Sequence, residues 1–176
     1  MIFHKWNERA RYRARFLLLF TAAFFALLWT ATRPCVAVIA ESGLLASCSA
    51  EAGTELSTRF IHSVQKTPVE EFFIVNDTRD GLILKKTRYR SFGVGLPFLA
   101  SEGSFYREGD DFVMDDMNRT MREIALRPGV STELTLFLPN ETVPLYDRVP
   151  LGSLVRVTIA PRWQIWLYIL ERLEIL

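Results

Sequence analysis

Cysteine and histidine are scarce, with two of each in 176 residues. A structural zinc site, which takes four such ligands, is not expected, and the sequence names no metal or cofactor. Charge of one sign is equally lacking. The formal net charge is +1, so the basic footprint of a nucleic-acid binder is missing. No repeat, long linker or low-complexity tract interrupts residues 33–160. With 49% hydrophobic and 23% charged residues, the composition excludes a disordered or fibrous chain. The length holds one ordinary domain and an appendage, and not two enzyme-sized domains.

What is present divides the chain into three parts. Residues 1–15 carry Lys5, Arg9, Arg11, Arg13 and Arg15 against the single acid Glu8, and an uncharged run follows from Phe16 to Thr32. A basic flank before an apolar stretch keeps the N-terminus cytoplasmic and sends the remainder across the membrane. His4 then lies in the cytoplasmic tail. Residues 1–32 therefore read as a basic segment plus a signal anchor or signal peptide, 33–160 as an exported β-domain, and 161–176 as a C-terminal amphipathic aromatic helix. Two outcomes stay open for the first part. It is retained as a single-pass anchor in the inner membrane with the domain periplasmic, or it is cleaved, either after Thr32 or after Ala40, where Val38 and Ala40 supply small residues. Arg33-Pro34 before Cys35 excludes a lipobox.

Cys35 and Cys48 flank a stretch that reads as two short strands around Glu41-Ser42-Gly43. A turn centred on Glu41 and Ser42 would set the cysteines opposite each other, and an oxidising compartment would favour a disulfide between them. Two buried thiols are the alternative. Turn residues recur along the body at Gly53, Thr67-Pro68, Asp77 to Gly81, Gly93 to Pro97, Gly109-Asp110, Pro128-Gly129, Pro139-Asn140 and Pro150 to Gly152. Between them, residues 54–63, 70–76, 82–91, 121–127, 133–138 and 153–160 alternate or are β-branched. Leu134, Leu136 and Leu138 share one face, as do Val155, Val157 and Ile159. The fold class that follows is mainly β, an antiparallel sandwich or flattened barrel. The acid-rich segment 101–118 reads as an excursion at its rim, without the alternation of an EF-hand calcium loop.

At the C-terminus Pro161 opens a helical pattern. Trp163, Trp166, Leu167, Leu170 and Leu173 form a stripe, but Ile165, Tyr168, Ile169 and Leu176 add apolar surface elsewhere. One core contact would not bury all of it. Trp163, Trp166, Leu167 and Leu170 are therefore candidate contacts for a membrane interface or a partner's groove, with a helix packed wholly on its own sandwich as the alternative.

The densest chemistry runs from Phe60 to Val75, F-I-H-S-V-Q-K-T-P-V-E-E-F-F-I-V. A four-residue hairpin loop at Gln65 to Pro68 would place His62 opposite Glu71, Ser63 opposite Glu70 and Phe60 opposite Phe73. Phe60, His62, Glu71, Phe73 and Val75 would then share one face. His62 and Ser63, being strand neighbours, point apart and cannot form a nucleophile and base dyad. The remaining readings are a structural polar pair, a binding site using His62, Thr67 and Glu71, and a His–carboxylate base. Ser91-Phe-Gly-Val-Gly-Leu-Pro97 ends a strand without opening a helix, which excludes a dinucleotide fingerprint and suits a bulge.

F-x-H-S-V-x-x-T-P-V-x-E at Phe60 to Glu71, followed by S-F-G-x-G-L-P at Ser91 to Pro97, resembles the bacterial domain-of-unknown-function family eighteen-fifty. The resemblance spans roughly Cys35 to Ile159. It matches at His62, Ser63, Thr67, Pro68, Glu71, Gly93, Gly95 and Pro97, and carries no catalytic residues. Members are small exported proteins, many encoded beside TAXI-type tripartite (TRAP) transporters. The resemblance thus implies a non-enzymatic accessory subunit of a TRAP solute transporter, partnered with its membrane permease subunits. A free periplasmic domain binding a ligand or peptide near His62 and Glu71 is the alternative. A hydrolase or isomerase would need a further nucleophile or base beside His62.

Overall fold

The computed structural model describes the backbone of residues 2–91, 97, 99 and 101–172, and the side chains among them from 11 to 171. Gly93, Gly95, Leu173 and Leu176 lie outside the described residues. The chain forms two compact units, residues 1–33 and residues 34–176.

The first unit is helix α1, Ile2–Thr32. Within it, Arg11–Thr32 is 22 residues of mean hydropathy 1.8 with no part buried by protein. At 1.5 Å per residue those 22 residues rise about 33 Å, enough to cross a bilayer core as an anchor or to serve as a signal sequence. The helix continues through the basic residues, so the apolar 17-residue run is not its limit. Arg13 and Arg15 can extend toward headgroups from within the span. Near its end the Arg33 guanidinium lies 4.4 Å from the Trp29 ring.

The second unit is an antiparallel β-sandwich, as the alternating runs predict. Its strands are β1 (Pro34–Ala40), β2 (Gly43–Ser49), β3 (Glu55–Ile61), β4 (Pro68–Val75), β5 (Leu82–Tyr89), β6 (Ser104–Glu108), β7 (Asp111–Asp115), β8 (Arg119–Met121), β9 (Glu123–Leu126), β10 (Thr135–Phe137), β11 (Thr142–Pro144) and β12 (Val155–Pro161). Two helices complete it, the single turn α2 (Leu145–Arg148) and the C-terminal α3 (Arg162–Arg172). The small sheet has the order β2-β1-β12-β9. The large one runs β11-β10-β3-β4-β5-β7-β6, with β8 pairing β5.

One core joins the sheets. Val36, Val38, Val155 and Val157 of the small sheet meet Leu56, Phe73, Val75, Leu82, Met114 and Leu136 of the large one. Each such fully buried aliphatic side chain contributes about 2 kcal/mol. β1 is apolar at nearly every position because both its faces are covered. Val36 and Val38 enter the core, while Cys35 and Ala37 lie under Ile165 of α3. Cleavage after Ala40 would remove this central strand, so of the two candidate sites only the one after Thr32 leaves the small sheet whole.

The acid-rich segment lies at the rim as expected, and there it is ordered sheet. Residues 104–115 form the β6–β7 hairpin about Gly109, which widens the large sheet. The carboxylates here take surface partners and do not converge on one point. Glu108 and Asp111 pair with Arg88, Asp115 accepts from the Tyr106 hydroxyl, and Asp116 accepts from Ser104.

The cysteine pairing is also corrected. The turn register is as expected, with Ala40 opposite Gly43 and Ile39 opposite Leu44. A bulge at Leu45 then shifts the remainder by one residue, setting Cys35 opposite Ser49 and Cys48 opposite Val36. Because strand side chains alternate, one residue of slip sends the two sulfurs to opposite faces of the sheet. Cys35 lies on the α3 side and Cys48 against the core, and no disulfide joins them.

Candidate functional site

The loop after β3 has six residues, not four. Ile61 pairs with Pro68, and the register continues through Phe60 with Val69, Arg59 with Glu70, Thr58 with Glu71 and Leu56 with Phe73. The expected pairs His62 with Glu71, Ser63 with Glu70 and Phe60 with Phe73 are therefore wrong. The cause is His62 itself. Its Nδ1 accepts backbone N–H groups from Val64 and Gln65, both at 3.2 Å. Its own N–H donates to the Thr67 carbonyl at 2.9 Å, and its carbonyl accepts from Lys66 N–H at 2.9 Å. The imidazole organises the loop over residues 62–67, whose centre lies two residues nearer the N-terminus than expected, with Lys66 in the left-handed region at φ 54°.

This geometry sets what His62 can do. Its Nδ1 is taken up by two backbone N–H donors, and among the described residues no carboxylate reaches that nitrogen. The His–carboxylate base is not assembled. Ser63 is exposed on the loop. The Thr67 hydroxyl is buried without a partner among the described residues, and Pro68 opens β4.

Glu71 instead belongs to a polar row on the inner face of the large sheet. Thr58 on β3 and Thr87 on β5 stand directly opposite it on either side. Thr58 Oγ1 donates to Glu71 Oε2 at 3.1 Å, while Thr87 Oγ1 donates to the Met117 sulfur at 3.4 Å. Both threonines are 1% exposed. Burial pushes the Glu71 carboxyl up from its ordinary value, opposed by the Thr58 hydrogen bond and the charge of Arg119. Thr58 and Thr87 escaped the sequence reading because nothing singles them out until the register is known. A second bulge, at Lys85, turns β5 so that Leu82 and Leu84 face inward before it, and Thr87 and Tyr89 after it.

The two motifs meet at one end of the large sheet. Ser91 Oγ donates to Gln65 Oε1 at 3.2 Å. Val69 pairs with Tyr89, whose hydroxyl donates to the Pro97 carbonyl. Beside them a cavity of about 320 Å³ opens between the end of β3 and the strand β9, lined by Phe60, His62, Ser63, Leu126, Arg127 and Thr132. On the outer face, Glu70 stands between Arg59 at 3.9 Å and Arg88 at 4.0 Å, and Asp111 links Arg88 to Arg90. These charges neutralise one another at the surface, where such pairs contribute little stability. A broader outer groove of about 900 Å³ crosses β10, β3, β4 and β5 past Phe137, Ser57, Phe72 and Lys86, with the Lys86 ammonium 4.9 Å from the Phe72 ring.

A family model matches residues 56–145, half of the chain, from Leu56 on β3 to Leu145 at the start of α2. The chain belongs to the family described as Domain of unknown function (DUF1850). The DUF1850 match covers the six-residue loop, the Thr58–Glu71–Thr87 row and both motifs. The small sheet's β1, β2 and β12 and the helices α1 and α3 fall outside it. No curated protein and no solved structure matches the chain.

On α3 the side chains divide cleanly. Ile165 is 4% exposed and seats against Cys35, Ala37 and Ala160. Trp163, Trp166 and Leu167 are 43%, 37% and 42% exposed, and Leu170 is half-buried. The stripe singled out from the sequence is thus the outward face, and the inward contact is made by a residue off that stripe.

Proposed function

We propose that this DUF1850 protein is a membrane-anchored accessory subunit, with its β-domain in the periplasm, that acts by contact and not by catalysis. The observation that carries the reading is α1, a span of 22 apolar-rich residues with a basic N-terminal flank, joined through the single residue Arg33 to a folded β-sandwich. The positive flank favours a cytoplasmic N-terminus, which puts the sandwich on the far side. A one-residue link holds the domain at the membrane surface, where modest contacts with another membrane protein suffice because the effective concentration is high. The partner class is the permease of a TAXI-type TRAP transporter, as the family resemblance implies. Coexpression with such a permease and mild-detergent capture tests this. Copurification at fixed stoichiometry is the expected outcome, and a permease that elutes alone would refute it.

A second reading draws on the cavity at His62, where the buried Thr67 hydroxyl lies on the adjoining loop. There the domain would hold a small ligand or peptide, and the melting temperature would rise with the ligand. His62→Ala would abolish that rise.

A further inference from the structure

Among the described residues, none of the domain covers the outward face of α3. Ile165 fixes the helix rotation by filling the depression over Cys35, Ala37 and Ala160 on the small sheet. Trp163, Trp166 and Leu167 recur at i, i+3 and i+4, so they project together away from that seat. Ile169, 45% exposed, follows Ile165 by one turn and lies beside the seat, off this face.

Strand register and chain connectivity say what lies near this face. Pro34, the first residue of β1, stands opposite Pro161, the last of β12, and α3 begins at the next residue, Arg162. Opposed residues of an antiparallel pair are about 5 Å apart. On the other side of Pro34 the chain reaches Thr32, the last residue of α1, in two peptide steps of about 3.8 Å each. However α1 is turned, its last residue and the start of α3 are therefore within about 17 Å of each other by covalent and strand geometry alone. That end carries Trp29 beside Arg33, the residue types that settle at a bilayer interface.

We propose that the outward face of α3 rests in the lipid interface of the same membrane, with Trp163, Trp166 and Leu167 inserted at headgroup level. The inference rests on the anchored reading given above. Eleven residues rise about 16 Å and cannot span a bilayer. A short helix with two tryptophans and aliphatic residues on one side and a protein seat on the other is suited to lying in the plane of the interface. Combined with α1, this gives the domain two attachments to the lipid. A single flexible link would leave its orientation free, whereas two fix which surfaces face outward.

The test uses the full chain in phosphatidylcholine nanodiscs whose lipids carry bromine on the acyl carbons nearest the headgroup. In the Trp6→Phe/Trp29→Phe variant only the α3 tryptophans emit. Bromolipid is expected to quench most of that emission, and acrylamide in the aqueous phase to quench little of it. The Trp6→Phe/Trp163→Phe/Trp166→Phe variant reports Trp29 alone. If Trp29 is quenched by bromolipid and the α3 pair only by acrylamide, the anchor stands, the lipid contact is refuted, and the face is left to a protein partner. If the α3 pair is quenched and Trp29 is not, the lipid contact stands and the anchor falls. If neither responds to bromolipid, both are overturned.

Discussion

Cys48 offers a test of the small sheet's register through its reactivity. Burial against the core, with the charges of Cys35 and Glu141 nearby, pushes its thiol from 9.0 up to about 11. Near pH 8, well below both values, the thiolate fraction falls about tenfold for each unit of that shift, so the folded protein presents about one hundredth of the ordinary thiolate. A more basic thiolate is intrinsically more nucleophilic, with a Brønsted slope of about 0.4–0.5, which returns roughly a factor of ten. Alkylation of Cys48 by iodoacetamide in the native protein is therefore expected to run about 10- to 100-fold slower than in the urea-unfolded chain. The native rate should climb steeply as pH approaches 11. Because the folded value is raised, the group's contribution to stability is fully present below about pH 9 and is lost as pH rises through 11. The readout is the mass of the peptide containing residue 48 over time. A native rate equal to the unfolded rate would refute the burial argument. A nonreduced mass two hydrogens low, with Cys35 and Cys48 in one linked peptide, would refute the bulge at Leu45.

Glu71→Gln is expected to raise the melting temperature at pH 7 and leave it nearly unchanged at pH 4. A carboxyl whose folded value is raised stabilises the fold below its unfolded value, near 4.5, and loses that contribution as pH rises through the folded value. His62→Ala removes the acceptor for two backbone donors and should cost about 1 kcal/mol, because water can reach the exposed loop. Hydrogen exchange at the Val64 and Gln65 amides should speed up, while amides in the middle of β3 and β4 keep their protection. Ile165→Ala empties the seat of α3 and should cost about 2 kcal/mol or more, read from thermal melts of the full chain in mild detergent.

Faces proved easier to read from the sequence than partners. The expected β3–β4 register is displaced by four residues from the real one, and an even displacement preserves which side chains share a face. Phe60, Glu71, Phe73 and Val75 do lie together on the inner face although each has a different partner from the one expected. Loop position decided the partners: the loop is centred between Val64 and Gln65, not between Lys66 and Thr67, and it closes around His62 Nδ1, a three-dimensional bond that alternation cannot reveal. In the β1–β2 hairpin the opposite happened. The turn register was correct, but one extra residue at Leu45 flipped the face beyond it. Bulges at Leu45 and Lys85 leave no local signal in strands that are apolar or alternate on both sides of them. The Gly109 turn was legible, yet the density of acids obscured the hairpin around it. On α3, apolar residues on both sides left the inward face undetermined, and Ile165 took it because it meets the small residues Cys35, Ala37 and Ala160.

The central claim is that α1 stays attached and holds the sandwich on the far side of the membrane. Intact-mass measurement of the protein extracted from carbonate-washed membranes, after external protease treatment of right-side-out spheroplasts, addresses both halves at once. The account predicts a chain that keeps residues 1–32 in the untreated membrane and loses the domain after Pro34 only when protease is added outside. A domain released in soluble form with its N-terminus at Arg33, or one fully protected from external protease, would contradict it.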